Sequence, residues 1–328
     1  MSRDRRVGRV SASGAGRDGP SGRRAALRRA ASSLATLAVL AVLPGCATRP
    51  GPSAAGPGRD GPPRAALAAD VLLIGEVHDN AAQHRLRLQW LDAIARHRRV
   101  ALALEQLDAA RHDDLDRARA ADAGSADSLP LRARRLAEAA GFDFRGWDWR
   151  FYGPVIELAL RRELPLIAAN LSRSESVAVV RGRAPAAPEP AGWGSDERRA
   201  LEDAIRDGHC GTLPESMIVP MAAAQRTRDA RMARSLIDVR RRSGLPVVLL
   251  AGNGHVRRDI GVPRYLAGLP PQDRVFVIGM VESPEGPSNA FDHAELTEPA
   301  VREDPCRALR AGKPPSSETA ERPEPSPR

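Results

Sequence analysis

The chain has 328 residues and a formal net charge of +9, from 50 basic and 41 acidic side chains, which is enough length for one large domain or two small ones. Nine arginines and two aspartates fall in the first 45 residues, leaving 41 basic against 39 acidic in the rest. That near balance excludes a nucleic-acid protein that relies on a basic surface, and we expect no nucleic-acid partner.

The leader comes first in chain order. Arg23, Arg24, Arg28 and Arg29 precede SSLATLAVLAVLPGC, an apolar run too short and too weakly flanked to read as a membrane-spanning helix. Its last four residues, Leu43-Pro44-Gly45-Cys46, resemble the lipobox of bacterial lipoproteins, in which the cysteine is diacylated and becomes the new N-terminus. Residues 1–46 are therefore read as a lipoprotein signal peptide, and an ordinary secretory signal is the alternative. The resemblance implies a bacterial cell-envelope location, periplasm-facing or at the outer membrane, with a lipid anchor at Cys46. Residues 47–66 are rich in Pro, Gly and Ala and read as a flexible linker. Residues 311–328 are polar and Pro-rich and read as a disordered tail.

Between them, residues 67–310 read as one domain. Apolar runs at Val71–Ile74, Val100–Leu104, Leu164–Ala168, Val247–Ala251 and Val275–Ile278 lack the polar alternation of half-exposed strands. Such runs suit parallel strands covered on both faces. Amphipathic helices are predicted at about 80–97, 107–120, 130–140, 153–162, 196–207 and 215–243, with Asn80 capping the first and Gly244 closing the last. The predicted class is α/β, a mostly parallel central sheet flanked by helices, with a helical insertion at about 195–243.

Two of the predicted strands end alike. Val71–Ile74 runs into Gly75-Glu76-Val77-His78, and Val247–Ala251 runs into Gly252-Asn253-Gly254-His255. Ligands of open parallel sheets bind beyond the C-terminal ends of the strands, so the two G-x-x-H turns can deliver both imidazoles to one crevice, with Glu105 on the same rim. A single such histidine would more simply be a capping or loop-bonding residue. Past Cys46 the cysteines are Cys210 and Cys306. In an oxidising compartment a disulfide is the first reading, with two buried free thiols as the alternative and a catalytic thiol, Cys210 beside His209, the least favoured.

Gly75-Glu76-Val77-His78-Asp79-Asn80, Leu104-Glu105-Gln106 and Gly252-Asn253-Gly254-His255-Val256 together resemble the ChaN-like haem-binding lipoproteins. That family sits in a wider group with the Tiki/TraB proteases and erythromycin esterases. Trp147-Asp148-Trp149, Tyr152-Gly153-Pro154, Ala169-Asn170-Leu171, His209-Cys210, Gln225, Arg228-Asp229 and Met232 agree with it. The likeness covers roughly 67–308. It implies an anchored protein that binds haem for iron uptake, with a possible homodimer and haem-transport proteins as partners. The relatives imply an alternative: a metal-dependent hydrolase or protease holding a divalent metal with Glu76, His78, Glu105 and His255.

For haem, a tyrosine phenolate is a suitable ferric ligand, and the chain has two tyrosines, Tyr152 and Tyr265. Tyr265 is favoured because Arg264 precedes it and would lower its pKa or pair with a propionate. The expected haem-binding residues are Tyr265, His78, His255, Tyr152 and Arg264. Gln225, Arg228, Asp229 and Met232 fall on one helical stripe, and Asp229 or Gln225 is expected to orient a histidine.

Overall fold

The structure is a computed structural model that describes residues 61–285, 290–304 and 306–307. The signal peptide with Cys46, the tail 311–328 and all of the linker before residue 61 lie outside the described residues. The predicted linker ends earlier than expected, because Arg64–Ala68 form a short helix, α1, whose Ala66 is fully buried in the core.

Six parallel strands form one sheet in the order β3-β2-β4-β1-β5-β6. They are β1 (Val71–Glu76), β2 (Ala101–Asp108), β3 (Leu166–Asn170), β4 (Val247–Gly252), β5 (Val275–Val281) and β6 (His293–Leu296). The five predicted runs are all strands. β6, at the edge beside β5, has no apolar run and half its residues are exposed.

The helices are α2 (Ala81–His97), α3 (His112–Ala121), α4 (Leu129–Ala139), α5 (Trp149–Arg161), α6 (Arg173–Val180), α7 (Ser195–Gly208), α8 (Glu215–Ser243) and the single turn α9 (Asn253–Val256). Asn80 caps α2 by accepting from the Gln83 amide, and Gly244 ends α8 in the left-handed region at φ 67°. Helix α5 starts four residues before its predicted start, capped by Asp148, and carries Pro154 in its second turn.

Alternation along the strands divides the core. Leu72 and Ile74 face a cluster built with α2, α4 and α5, while Val71 and Leu73 face one built with α8. Trp193, Leu201, Ile205, Ile218, Ala222 and Ile260 form a smaller cluster that gives α7 and the start of α8 their own seat. Cys210 and Cys306 are joined by a disulfide with Cα atoms 5.3 Å apart.

The topology decides where a site can form. Strands β1 and β4 are neighbours in register, Gly75 opposite Ala251 and Glu76 opposite Gly252. From β1 the chain goes to β2 on one side, and from β4 it goes to β5 on the other. Connections that part in this way open a crevice at the C-terminal ends of the two strands.

Candidate functional site

Both G-x-x-H turns stand at this crevice, and each glycine makes room for the other turn. A Cβ on Gly75 would lie 2.3 Å from Asn253 Oδ1 and 2.5 Å from Val256 Cγ2. One on Gly252 would lie 2.7 Å from the His78 ring. The repeated glycine is thus a packing requirement, since neither turn can close on the other with a side chain there.

The first turn carries Glu76, whose carboxylate is fully buried on the α2/α5 face of the sheet. Arg87, equally buried, forms an ion pair with it, and Tyr152 donates to Oε1 at 2.7 Å. His78 Nδ1 is 3.3 Å from the same oxygen, and His84 Nδ1 is 3.6 Å from Oε2. Burial alone would raise the Glu76 pKa, but Arg87 and the His78 hydrogen bond outweigh it and hold the carboxyl below its ordinary value. Burial and Arg87 push His84 down to about 4, so its ring is neutral and donates from Nε2 to the His78 carbonyl at 2.7 Å. The His84 ring stacks on Phe151 with centroids 4.1 Å apart.

His78 differs from the other polar groups in being 43% exposed at its side chain. Trp147 braces the ring edge-on at 4.8 Å. Partial burial works against its charge, but Glu76 and Glu105 raise its pKa above that of a free imidazole.

The second turn meets a matching set on the α8 face. Glu105, buried in the second half of β2, accepts from the Gly252 amide at 2.8 Å and from Arg228 at 2.7 Å. His255, 5% exposed, lies with Nδ1 2.6 Å from Asp229 and Nε2 3.3 Å from Glu105. Burial disfavours its charge, yet Glu105 and Asp229 together raise its pKa to about 9. His255 and Arg228 in turn hold Glu105 well below the usual carboxylate range against its burial. The amide end of Gln225 lies 3.1 Å from His255 Nδ1, and Asn170 donates to the Glu105 carbonyl at 3.1 Å. The polar stripe on α8 therefore lies against the second turn, with Asp229 orienting His255.

The structure brings Glu76, His78, Glu105 and His255 to one edge but gives them different duties. Glu76 and Glu105 sit on opposite faces of the sheet, each neutralised by its own arginine. Among the described residues no group of three or more His, Cys, Asp or Glu side chains is placed to hold a metal ion.

Two of the expected haem-binding residues, Tyr152 and Arg264, have their polar ends engaged within the protein. Tyr152 is 1% exposed and its hydroxyl is committed to Glu76; burial and that carboxylate push its phenol pKa upward. It belongs to the buried network, not to an open aromatic face. Arg264 donates to the Gly192 carbonyl at 2.9 Å. The guanidinium beside Tyr265 is that of Arg226, and burial still pushes the phenol up to about 12. The Tyr265 hydroxyl oxygen is itself buried.

Residues not foreseen are Arg87 and His84, which complete the Glu76 network. The inward stripe of α2 runs Gln83, His84, Arg87, Trp90, Leu91, Ile94. It is polar in the half next to the crevice and apolar below, a pattern visible in the sequence. Between α2 and α5 a groove of about 360 Å³ opens, lined by Ala81, His84, Arg85, Leu88, Arg150, Phe151 and Pro154. Arg85 makes no ion pair among the described residues.

The profile of the family described as haem-binding uptake, Tiki superfamily, ChaN matches residues 64–266, more than half of the chain. The chain belongs to this family. A solved ChaN structure from Campylobacter jejuni, described as binding haem cofacially, aligns with a TM-score of 0.59 and 24% identity over 70% of this chain and 87% of that one. At that identity the likeness shows that the ChaN fold is shared. The type III effector HopBA1 aligns at a TM-score of 0.39 and 11% identity, over 70% of this chain and 89% of that one. An erythromycin esterase in its open conformation aligns at 0.37 and 15%, over 72% and 78%; both scores are too low to add to the ChaN assignment. No curated protein matches the chain.

Proposed function

We propose that this ChaN-family chain is a lipid-anchored envelope protein that binds haem for iron acquisition, at the crevice where β1 and β4 end. The observation that carries the reading is the family match over residues 64–266. Haem needs a donor to iron, a flat apolar wall and cations for its propionates. This edge of the protein offers the exposed imidazole of His78, the groove floored by Phe151, Leu88 and Pro154, and Arg85 beside it. When bound, haem would supply the iron itself; the chain's own residues bind and orient it and shield it from water. Anchoring through Cys46 rests on the lipobox, and among the described residues no helix is long and apolar enough to cross a membrane. A homodimer that shares the ligand, and haem-transport partners, belong to the same proposal.

The metal-dependent hydrolase fits less well. A metal-ligating histidine must be neutral and a ligating carboxylate must have a free lone pair directed at the ion. His255 has a carboxylate beside each ring nitrogen, and Arg87 and Arg228 occupy the carboxylates of Glu76 and Glu105.

The test is a haemin titration of the chain recovered from the membrane fraction, followed by absorbance. The reading predicts a saturable Soret shift at a fixed stoichiometry, with Cys46→Ser moving the chain into the soluble fraction without changing that shift. A linear, unsaturable response would remove the haem reading; an unchanged membrane fraction in Cys46→Ser would remove the anchor.

A further inference from the structure

We infer that the end of the sheet opposite the crevice is a docking surface for an anionic lipid bilayer, built from arginines at the N-terminal ends of the first five strands. It rests on the lipid anchor of the reading above and goes beyond it, from a point of attachment to a face of the fold.

Past residue 45 the chain is nearly balanced, with 41 basic and 39 acidic side chains, but the balance is uneven along the strands. Residues 64–70, 96–100, 161–165, 240–246 and 269–274 lead into β1, β2, β3, β4 and β5. They carry ten arginines against three carboxylates. Since the strands are parallel, these segments share one end of the sheet. Backbone bonds join them there. The Asp70 amide donates to the Arg274 carbonyl, Ala101 to Pro246 and Leu102 to Pro165, each at 2.8 Å, and Val247 donates to Asp70 at 2.9 Å.

Part of this charge is spent inside the fold. Arg240 pairs with Asp273 at 2.7 Å and lies 3.7 Å from Asp70, and Arg98 donates to the Ala69 carbonyl. Arg64, Arg99, Arg241 and Arg242 are exposed and make no ion pair among the described residues. Arg99 precedes β2, Arg241 and Arg242 precede β4, and Arg64 precedes β1, three neighbouring strands across the edge. The other end is acidic at its surface. Glu303 and Asp304 are exposed there, next to Arg302, which is itself paired with Asp79 and Glu282. An anionic surface therefore attracts the first end and repels the second.

The course of the chain selects a bilayer as the occupant. Gly61, where the described chain begins, stands three residues before Arg64. Fifteen positions separate it from Cys46, a reach of at most about 50 Å. The chain thus leaves the domain toward its anchor from the end that carries the arginines. Each guanidinium held near an anionic leaflet adds about fivefold to the affinity, and salt screens the effect. Docking by this edge turns the crevice, one strand length or about 17 Å away, toward the aqueous side.

The experiment is arginine footprinting with phenylglyoxal, read by mass spectrometry, on the full chain from the membrane fraction. The chain is placed on vesicles of phosphatidylcholine alone, or of equal parts phosphatidylcholine and phosphatidylglycerol. Arg99, Arg241 and Arg242 should be modified at least about fivefold more slowly on the second vesicles, and raised salt should remove the protection. Arg173, which opens α6 just past β3, and Arg145, in the turn between α4 and α5, are exposed and should react alike on both. Arg99→Glu/Arg242→Glu should abolish the protection of Arg241. Arg145→Glu/Arg173→Glu makes the same change of charge and should keep it. Equal rates on the two vesicles for Arg99, Arg241 and Arg242, or protection centred on Arg145 and Arg173, would overturn the docking surface. Failure to float with phosphatidylcholine vesicles would instead remove the anchor, and the footprint on phosphatidylglycerol would still decide the surface.

Discussion

Replacing Arg87 by alanine is expected to destabilise the fold by about 3–5 kcal/mol, because it leaves a buried carboxylate without its counter-charge. Arg87 and Glu76 both have fully buried side chains. The guanidinium also lies over the Tyr152 ring at 5.0 Å from its centroid, so alanine removes packing as well as charge. Without Arg87, burial would dominate and Glu76 would take up a proton in the folded state at a higher pH than in the unfolded chain. The destabilisation should therefore be largest at neutral pH and shrink on acidification, as protonation of Glu76 relieves it. Adding Glu76→Gln to the variant should recover part of the loss at neutral pH. Urea unfolding, read from the midpoint at constant slope, measures this. A loss below about 1 kcal/mol would mean that the Glu76 carboxylate reaches water and that the pair behaves like a surface one.

Breaking the Cys210–Cys306 disulfide should cost about 4.7 kcal/mol, the chain-entropy value for a closed loop of nearly 100 residues, given a separation of 96 positions. Cys210→Ser, Cys306→Ser and the double variant should all show the same loss, since each removes the same cross-link. The bond also bears on the site. The C-terminal segment that it holds leans on the first turn: Glu298 accepts from Asn80 at 2.9 Å, Arg302 pairs with Asp79 at 2.8 Å, and Thr297 accepts from Gln83 at 2.9 Å. Freeing the segment should loosen the residues that follow His78. Unfolding midpoints of the oxidised and reduced chain that coincide would contradict this.

How much of this was legible before the structure depends on how local each signal was. The first five strands were readable because a strand covered on both faces is apolar throughout. Strand β6, His-Ala-Glu-Leu, was not, since half its residues are exposed and it carries no apolar run. Helix α6 left a readable mark, the capping box of Ser172 and Glu175, which was missed because the helix is only eight residues long. Gly153-Pro154 was read as the start of α5, whereas Asp148 caps the helix a turn earlier.

Within the site, the pairing of the two turns followed from their repetition and from the rule for parallel sheets. What they pack against did not, because Arg87 and Tyr152 reach Glu76 from two other helices. In a chain with 50 basic residues, most of the arginines whose partners are seen pair at the surface, so composition gave no sign that one guanidinium was buried. Arg264 shows the opposite case: closeness in sequence to Tyr265 does not make its guanidinium the one beside the phenol. Val262–Gly268 form a tight 3-10 turn that sends the two side chains in different directions.

The most direct measurement of the central claim is backbone amide hydrogen exchange on the oxidised chain with and without saturating haemin. The account predicts slowed exchange at residues 76–80 and 252–256, the two turns that meet at the ends of β1 and β4, and in the first turn of α5. Protection confined to other segments, such as the 3-10 turn that holds Tyr265, with both G-x-x-H turns unchanged, would contradict it and place the haem elsewhere on the fold.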